Sequence, residues 1–136
     1  MALIAVRRAR EYFTGMFLAT ANKGKRLLCL SYIGQVRPEE LERGREDIKA
    51  LLAELPPGFR LLADLSRLES MDLDCVTELG RTMELLDQHR LDLVVRVIPD
   101  PAKDIGFNIL AIFHYPHHPQ IVTCESLADA ARILSL

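Results

Sequence analysis

Three groups of side chains in this 136-residue chain have the types and spacing to do chemistry. The densest is His114-Tyr-Pro-His117-His118, whose imidazoles are at a spacing that suits zinc or nickel. A structural zinc takes four ligands, and no nearby cysteine or second histidine pair completes the set. Asp100 and Asp104 join it only if the fold brings them back, so no metal is expected. The second group, Asp100-Pro-Ala-Lys-Asp104, puts two carboxylates and a lysine between an apolar run and a helix start. Open α/β sheets hold ligands at such places. With Phe107 and His114 these carboxylates form a candidate ligand pocket, and Asp100, Asp104 and His114 form the acid–base set of a candidate enzyme.

The third group is Asp72 and Asp74, followed by Cys75 and Glu78. The pattern places them at the start of a helix, where unpaired N–H groups and partial positive charge favour anions. In one reading an aspartate caps the helix, worth about 0.5–2 kcal/mol, and the other complements its dipole, worth about 0.3–1 kcal/mol. In the other reading Asp74 is a fixed charge in a partner-docking face with Ser66, Ser70, Asp72, Cys75 and Glu78. Cys75 is either a thiol activated by the helix terminus or a buried structural residue. No GxGxxG, P-loop, GxSxG or HExxH pattern occurs, so no cofactor and no enzymatic activity is expected.

The elements that must position these groups follow from patterning. Residues 12–20 and 26–33 are rich in strand formers and flank Asn22-Lys-Gly-Lys25, which predicts a hairpin. Pro38, Glu39 and Glu40 open a helix that buries Leu41, Ile48, Leu51, Leu52 and Leu55 and stops at Pro56-Pro-Gly58. Residues 59–65 alternate as a strand, with Phe59, Leu61, Ala63 and Leu65 on one face, and residues 66–74 are expected as a loop. The next helix carries Val76, Leu79, Met83 and Leu86 as its buried stripe. Leu91–Ile98 is nearly continuously apolar, as in a strand covered on both faces. Asp104 caps a third helix reaching His114. Gln120–Cys124 is a short strand, and Ser126 starts a final helix burying Leu127, Ala130, Ala131 and Leu134.

The order ββαβαβαβα predicts an α/β fold with a mixed, mainly parallel sheet flanked by helices. One domain over 1–136 is expected, with residues 1–11 an N-terminal extension or edge strand. The third helix is apolar around most of its circumference, broken by Asn108. It must be sunk in a core or covered, and a homodimer is favoured over an apolar-ligand pocket.

The stretch Asp64-Leu65-Ser66 … Met71-Asp72-Leu73-Asp74-Cys75 resembles the signature of STAS domains, the family named for sulfate transporters and anti-sigma-factor antagonists. That signature runs strand, Asp-Leu-Ser, loop, then an apolar residue and Asp-Ser-Ser-Gly. The resemblance implies the SpoIIAA-like fold and a module that binds another protein, an anti-sigma factor or a kinase-like partner. In the antagonists the second serine of the tetrapeptide is phosphorylated. Here Met71 and Asp72 match, Leu73 replaces the first serine, Asp74 stands at the acceptor and Cys75 replaces the glycine. The resemblance therefore implies the fold without the phospho-switch, although Ser66, Ser70 and Thr77 are nearby hydroxyls. The run Val97–Tyr115 lies outside the general pattern and resembles an uncharacterised bacterial SpoIIAA-like subgroup.

Composition agrees with a globular chain, 49% apolar and 26% charged. A net charge of −2 supplies no basic field, so no nucleic acid partner is expected. The charge is uneven: residues 1–26 carry net +5, as a solvated edge or a patch for an acidic partner. Cys29, Cys75 and Cys124 have no CxxC spacing and read as free thiols of a cytoplasmic protein. The opening Met-Ala-Leu-Ile-Ala-Val is too short for a secretory core, and no stretch approaches the ~20 apolar residues of a membrane span. Two further readings stay open beside protein binding: a carrier for a small apolar ligand or lipid, and the enzyme named above.

Overall fold

The computed structural model describes residues 15–136, and of residues 101–105 the backbone alone. Strands β1 (Gly15–Asn22) and β2 (Leu27–Val36) form the expected hairpin, paired antiparallel from Gly15↔Gly34 to Asn22↔Leu27. Helix α1 (Pro38–Leu52), strand β3 (Arg60–Met71), helix α2 (Cys75–Gln88), strand β4 (Leu93–Val97), helix α3 (Pro101–His114), strand β5 (Gln120–Cys124) and helix α4 (Leu127–Leu134) follow. The order ββαβαβαβα is as patterned, in a five-stranded sheet ordered β1-β2-β3-β4-β5. Every pair after the hairpin is parallel. The predicted strand residues 12–14 and the extension 1–11 lie outside the described residues.

The two faces of the sheet are covered unequally. Leu28, Leu30, Leu61, Ala63, Leu65 and Val94 point to one side and pack with Leu41, Ile48 and Leu52 of α1, Leu79, Met83 and Leu86 of α2, and Ala111 of α3. The other side carries a smaller cluster in which Leu27, Val95 and Val97 meet Ala130 and Leu134 of α4. Burial of each such Leu or Val side chain stabilises by about 1.5–3 kcal/mol. The Ser126 hydroxyl oxygen caps α4 by accepting the Asp129 N–H at 3.1 Å, as its sequence predicts.

Four expectations need correcting. Residues 66–71 are not loop: β3 continues to Met71 against β2, through Gly34↔Leu68, Gln35↔Ser70 and Val36↔Met71. Two register shifts on the way let Leu68 and Met71 pack on the same core as Leu65, an alternation that the sequence pattern alone conceals. Val76 is exposed, because α2 turns Cys75, Leu79, Met83 and Leu86 inward instead. Leu127 is exposed, since α4 meets the sheet through Ala130 and Leu134. Helix α3 begins at Pro101 rather than at an Asp104 cap.

Among the described residues Arg96 is the fully buried cation, standing on β4 at 2% exposure on the larger core's side. Its guanidinium donates to Asn108 Oδ1 at 2.7 Å and to the Phe107 carbonyl at 3.3 Å, and lies 5.7 Å from the centre of the Phe107 ring. Tyr32 and Tyr115 are buried around the same group, beside a cavity of about 20 Å3, large enough for one water. Burial pushes both phenol groups up, and the Arg96 charge lowers them in part. Asn108, the polar break in an apolar helix, thus adds a polar tie to the apolar packing of α3 on the sheet.

Asn108→Ala removes a hydrogen bond from a buried charge and should cost about 1.5–3 kcal/mol of unfolding free energy. Urea denaturation of the two proteins measures it. A change under ~0.5 kcal/mol, the range of ordinary surface substitutions, would show that Asn108 does not anchor the helix.

Candidate functional site

The chain between β3 and α2 is a tight backbone turn. The Cys75 N–H donates to the Asp72 carbonyl at 2.9 Å, and the Val76 N–H to the Leu73 carbonyl at 3.1 Å. Asp74 has φ −62° and ψ −18°, a helical conformation, and its side chain makes no cap hydrogen bond. The capping reading therefore fails for Asp74. A cap residue needs extended backbone to swing its oxygen over the first N–H groups, and Asp74 already belongs to the helical turn. Asp72, Leu73 and Asp74 are all exposed, Leu73 at 87%.

Cys75, by contrast, is 1% exposed, and its thiol donates to the Val36 carbonyl at 3.5 Å. Burial, then the Asp72 carboxylate, push this thiol up to about 11, outweighing the helix terminus that would activate it. Glu78 also faces inward. Its carboxylate meets Arg45 of α1 at 2.6 Å and Arg81 at 3.2 Å, and its carbonyl accepts from Arg45 at 3.2 Å. Both residues tie α2 to its surroundings and stand off the surface. Ser66 is exposed, its hydroxyl donating to Asp64 Oδ1 at 2.6 Å. Ser70 is exposed further along β3.

An apolar groove of about 410 Å3 opens where the end of β3, the start of α2 and the middle of α3 meet. Leu68, Ser70 and Met71 form one wall, Asp72, Leu73, Val76 and Leu79 another, and Phe107, Ile109 and Leu110 the third. Ser70 and Asp72 are the polar side chains of this lining. Outside the groove the apolar surface continues along α3, where Ile112 and Phe113 are 70% and 74% exposed. The third helix is thus neither sunk nor covered within the chain. Ala111 and the inner sides of Phe107 and Leu110 pack on the core, while the face at 109, 112 and 113 looks outward.

The residues proposed as one ligand pocket separate. Phe107 lines the groove; His114 stands at the far end of α3. Ten residues of helix put Asp104 and His114 about 15 Å apart along the axis, with Asp100 further still. A single acid–base centre from Asp100, Asp104 and His114 is therefore not assembled; the side chain of Asp104 lies outside the described residues. The histidines have other partners. His114 Nδ1 lies 2.7 Å from Glu84 Oε2, and His117 Nδ1 lies 2.5 Å from Asp87 Oδ2. The His117 backbone N–H donates to Asp87 Oδ1 at 3.1 Å. Among the described residues no three His, Cys, Asp or Glu side chains converge as a metal site.

Gly80 makes the first of these contacts sterically feasible, since a Cβ there would stand 2.7 Å from the His114 ring. Sequence reasoning had no signal for Glu84, Asp87, Gly80 or Arg45. Each is an ordinary helix-surface residue until α1 and α3 are laid beside α2.

No family model matches the sequence, and no curated protein matches it. Solved structures do. An uncharacterised DUF3478-family protein with a SpoIIAA-like fold from Shewanella loihica PV-4 aligns over 88% of this chain and 94% of its own, at 15% identity and TM-score 0.68. The anti-sigma factor antagonist SpoIIAA in its unphosphorylated form aligns over 88% and 99%, at 16% identity and TM-score 0.58. An anti-sigma factor antagonist from Mycobacterium paratuberculosis aligns over 90% and 95%, at 22% identity and TM-score 0.55. The chain has the SpoIIAA-like fold of STAS domains, as its motif suggested.

Two outcomes test this geometry. With its thiol near 11, Cys75 is ionised to about one part in a thousand at pH 8, so iodoacetamide should label it on unfolding and not in the native protein. Rapid native labelling at Cys75, located by peptide mass, would contradict the burial. Gly80→Ala forces His114 aside and should cost about 1–3 kcal/mol, seen as a lower Tm. An unchanged Tm would mean that α2 and α3 are not in such close contact.

Proposed function

We propose that the chain is a non-enzymatic, cytoplasmic regulatory module of STAS type that acts by binding another protein. Its docking face is the groove together with the outward side of α3. The observation that carries this reading is the continuity of exposed apolar side chains from Leu73 and Val76 across Ile109 to Ile112 and Phe113. Water-exposed apolar surface of that extent is costly for a monomer and marks surfaces that a partner covers. Among the described residues no helix is long and apolar enough to cross a membrane, so a bilayer-spanning role for α3 is not the explanation. The fold is shared with anti-sigma factor antagonists, which supports an anti-sigma-factor or kinase-like partner.

Regulation by a phosphoserine is not part of the proposal. Asp74 occupies the acceptor position in the resemblance, exposed and ready-charged, though a carboxylate has less charge and fewer acceptor oxygens than a phosphate. The face is thus constitutively in one charge state.

A second reading has its own support. The groove's volume of about 410 Å3 falls in the range of small-molecule pockets, about 300–1,000 Å3. A carrier for an apolar ligand would use it. The apolar surface that runs past the groove to Phe113 favours a protein, because a small molecule in the groove leaves that surface wet.

Replacing Leu73 and, separately, Phe113 with a photo-crosslinking phenylalanine analogue in the source cells distinguishes the readings. Expected are adducts with another polypeptide at both positions and none at the exposed control Glu125. Adducts of small mass at Leu73 alone would favour the carrier. Absence of any adduct at both positions would end the protein-binding reading, and a homodimer would appear as an adduct of twice the chain's mass.

A further inference from the structure

The groove has an electrostatic asymmetry that its apolar lining does not require. Asp72 stands in its wall, Asp74 lies two residues further on, and Glu39 projects from the first turn of α1. All three side chains are exposed. None lies within salt-bridge distance of a cation among the described residues, although Arg45, Lys49, Arg81 and Arg132 all find carboxylates elsewhere. The first turns of α1 and α2 stand side by side: Val36, three residues before Glu39, pairs with Met71 and accepts from the Cys75 thiol at 3.5 Å. Carboxylates near the first turns of α1 and α2 are compatible with those helix dipoles, so the folded chain tolerates the cluster at little cost. An occupant that seats apolar side chains in the groove meets this negative rim on the α2 side.

We infer that the occupant is an apolar–basic segment of another protein, with aliphatic or aromatic anchors in the groove and Lys or Arg beside Asp72, Asp74 and Glu39. This rests on the protein-binding reading and narrows it. An acidic segment would place like charges together in a partly desolvated setting, which complementary interfaces avoid. A neutral apolar segment would leave the three carboxylates unpaired at the rim of a buried patch. The basic segment fills the apolar volume and neutralises the rim together, and the rim charges speed its encounter at low salt.

The probes are two synthetic fourteen-residue peptides with the same leucine pattern, one completed with lysine and the other with glutamate. Fluorescence anisotropy against the full chain reads their affinities, and hydrogen exchange locates the bound peptide. The lysine peptide is expected to bind with protection at residues 68–79 and 106–113, more weakly as salt rises. Asp72→Lys combined with Asp74→Lys should weaken it roughly tenfold and bring in the glutamate peptide. Leu73→Ser should weaken both peptides in any background where they bind. Circular dichroism confirms that each variant is folded.

Equal binding of both peptides, indifference to the charge reversal, or protection elsewhere on the chain would overturn the basic occupant. If crosslinks from Leu73 still reach another protein in those cases, protein binding stands and the charge preference alone falls. If the crosslinks instead show a second copy of this chain, the apolar–basic partner is likewise excluded.

Discussion

A guanidinium taken out of water has to be given its hydrogen bonds back, and Arg96 on β4 sets that condition for the helix packed over it. Asn108 and the Phe107 carbonyl supply two of those bonds, and both come from α3. The helix is therefore held at one height and one rotation above the sheet. Phe107, Leu110 and Ala111 turn to the core, the exposed Asn108 reaches Arg96 from the edge of that face, and the helical period leaves 109, 112 and 113 outside. The apolar face of α3 at 109, 112 and 113 is left exposed beside this polar anchor. Apolar packing alone would have permitted other rotations of a helix with so few polar residues.

Beside its apolar packing, α2 is tied to its neighbours in the helical layer by polar side-chain contacts. Glu78 is held between Arg45 of α1 and Arg81 of its own helix. Glu84 and Asp87, three residues apart, meet His114 and His117, also three residues apart, at the C-terminal end of α3. Gly80 allows the approach. These contacts close the layer at the end of α3 remote from the groove. At the groove, Leu73, Val76 and Ile109 remain exposed.

That division reassigns the chemistry-bearing residues. Of the histidines, the most metal-like feature of the chain, His114 and His117 clamp the end of α3 to α2. Cys75 and Glu78, which follow the acidic pair in sequence, are interior. What remains at the surface beside the groove is Ser70, Asp72, Leu73 and Asp74, a subset of the motif whose resemblance pointed to the fold. One of its members, Asp74, is a carboxylate where a switchable hydroxyl would stand in the resembling family, so the site has fixed charge and a large apolar component.

The sequence by itself determined the element order, the hairpin, the face of β3 at Phe59–Leu65 and the cap at Ser126. These are set by local alternation, turn residues and single side-chain-to-backbone bonds, each complete within a few residues. It also carried the motif that names the fold. The continuation of β3 through Ser66–Met71 was not legible, because polar residues there are held by backbone pairing with a strand some thirty-five residues earlier. Nor was the reason for Asn108, whose partner is twelve residues away on another element. The groove, the inward turn of Glu78 and the separation of Asp104 from His114 were decided by tertiary structure alone. Each depends on how rigid elements are set against one another, and a helix's rotation is chosen by what it must satisfy across the interface.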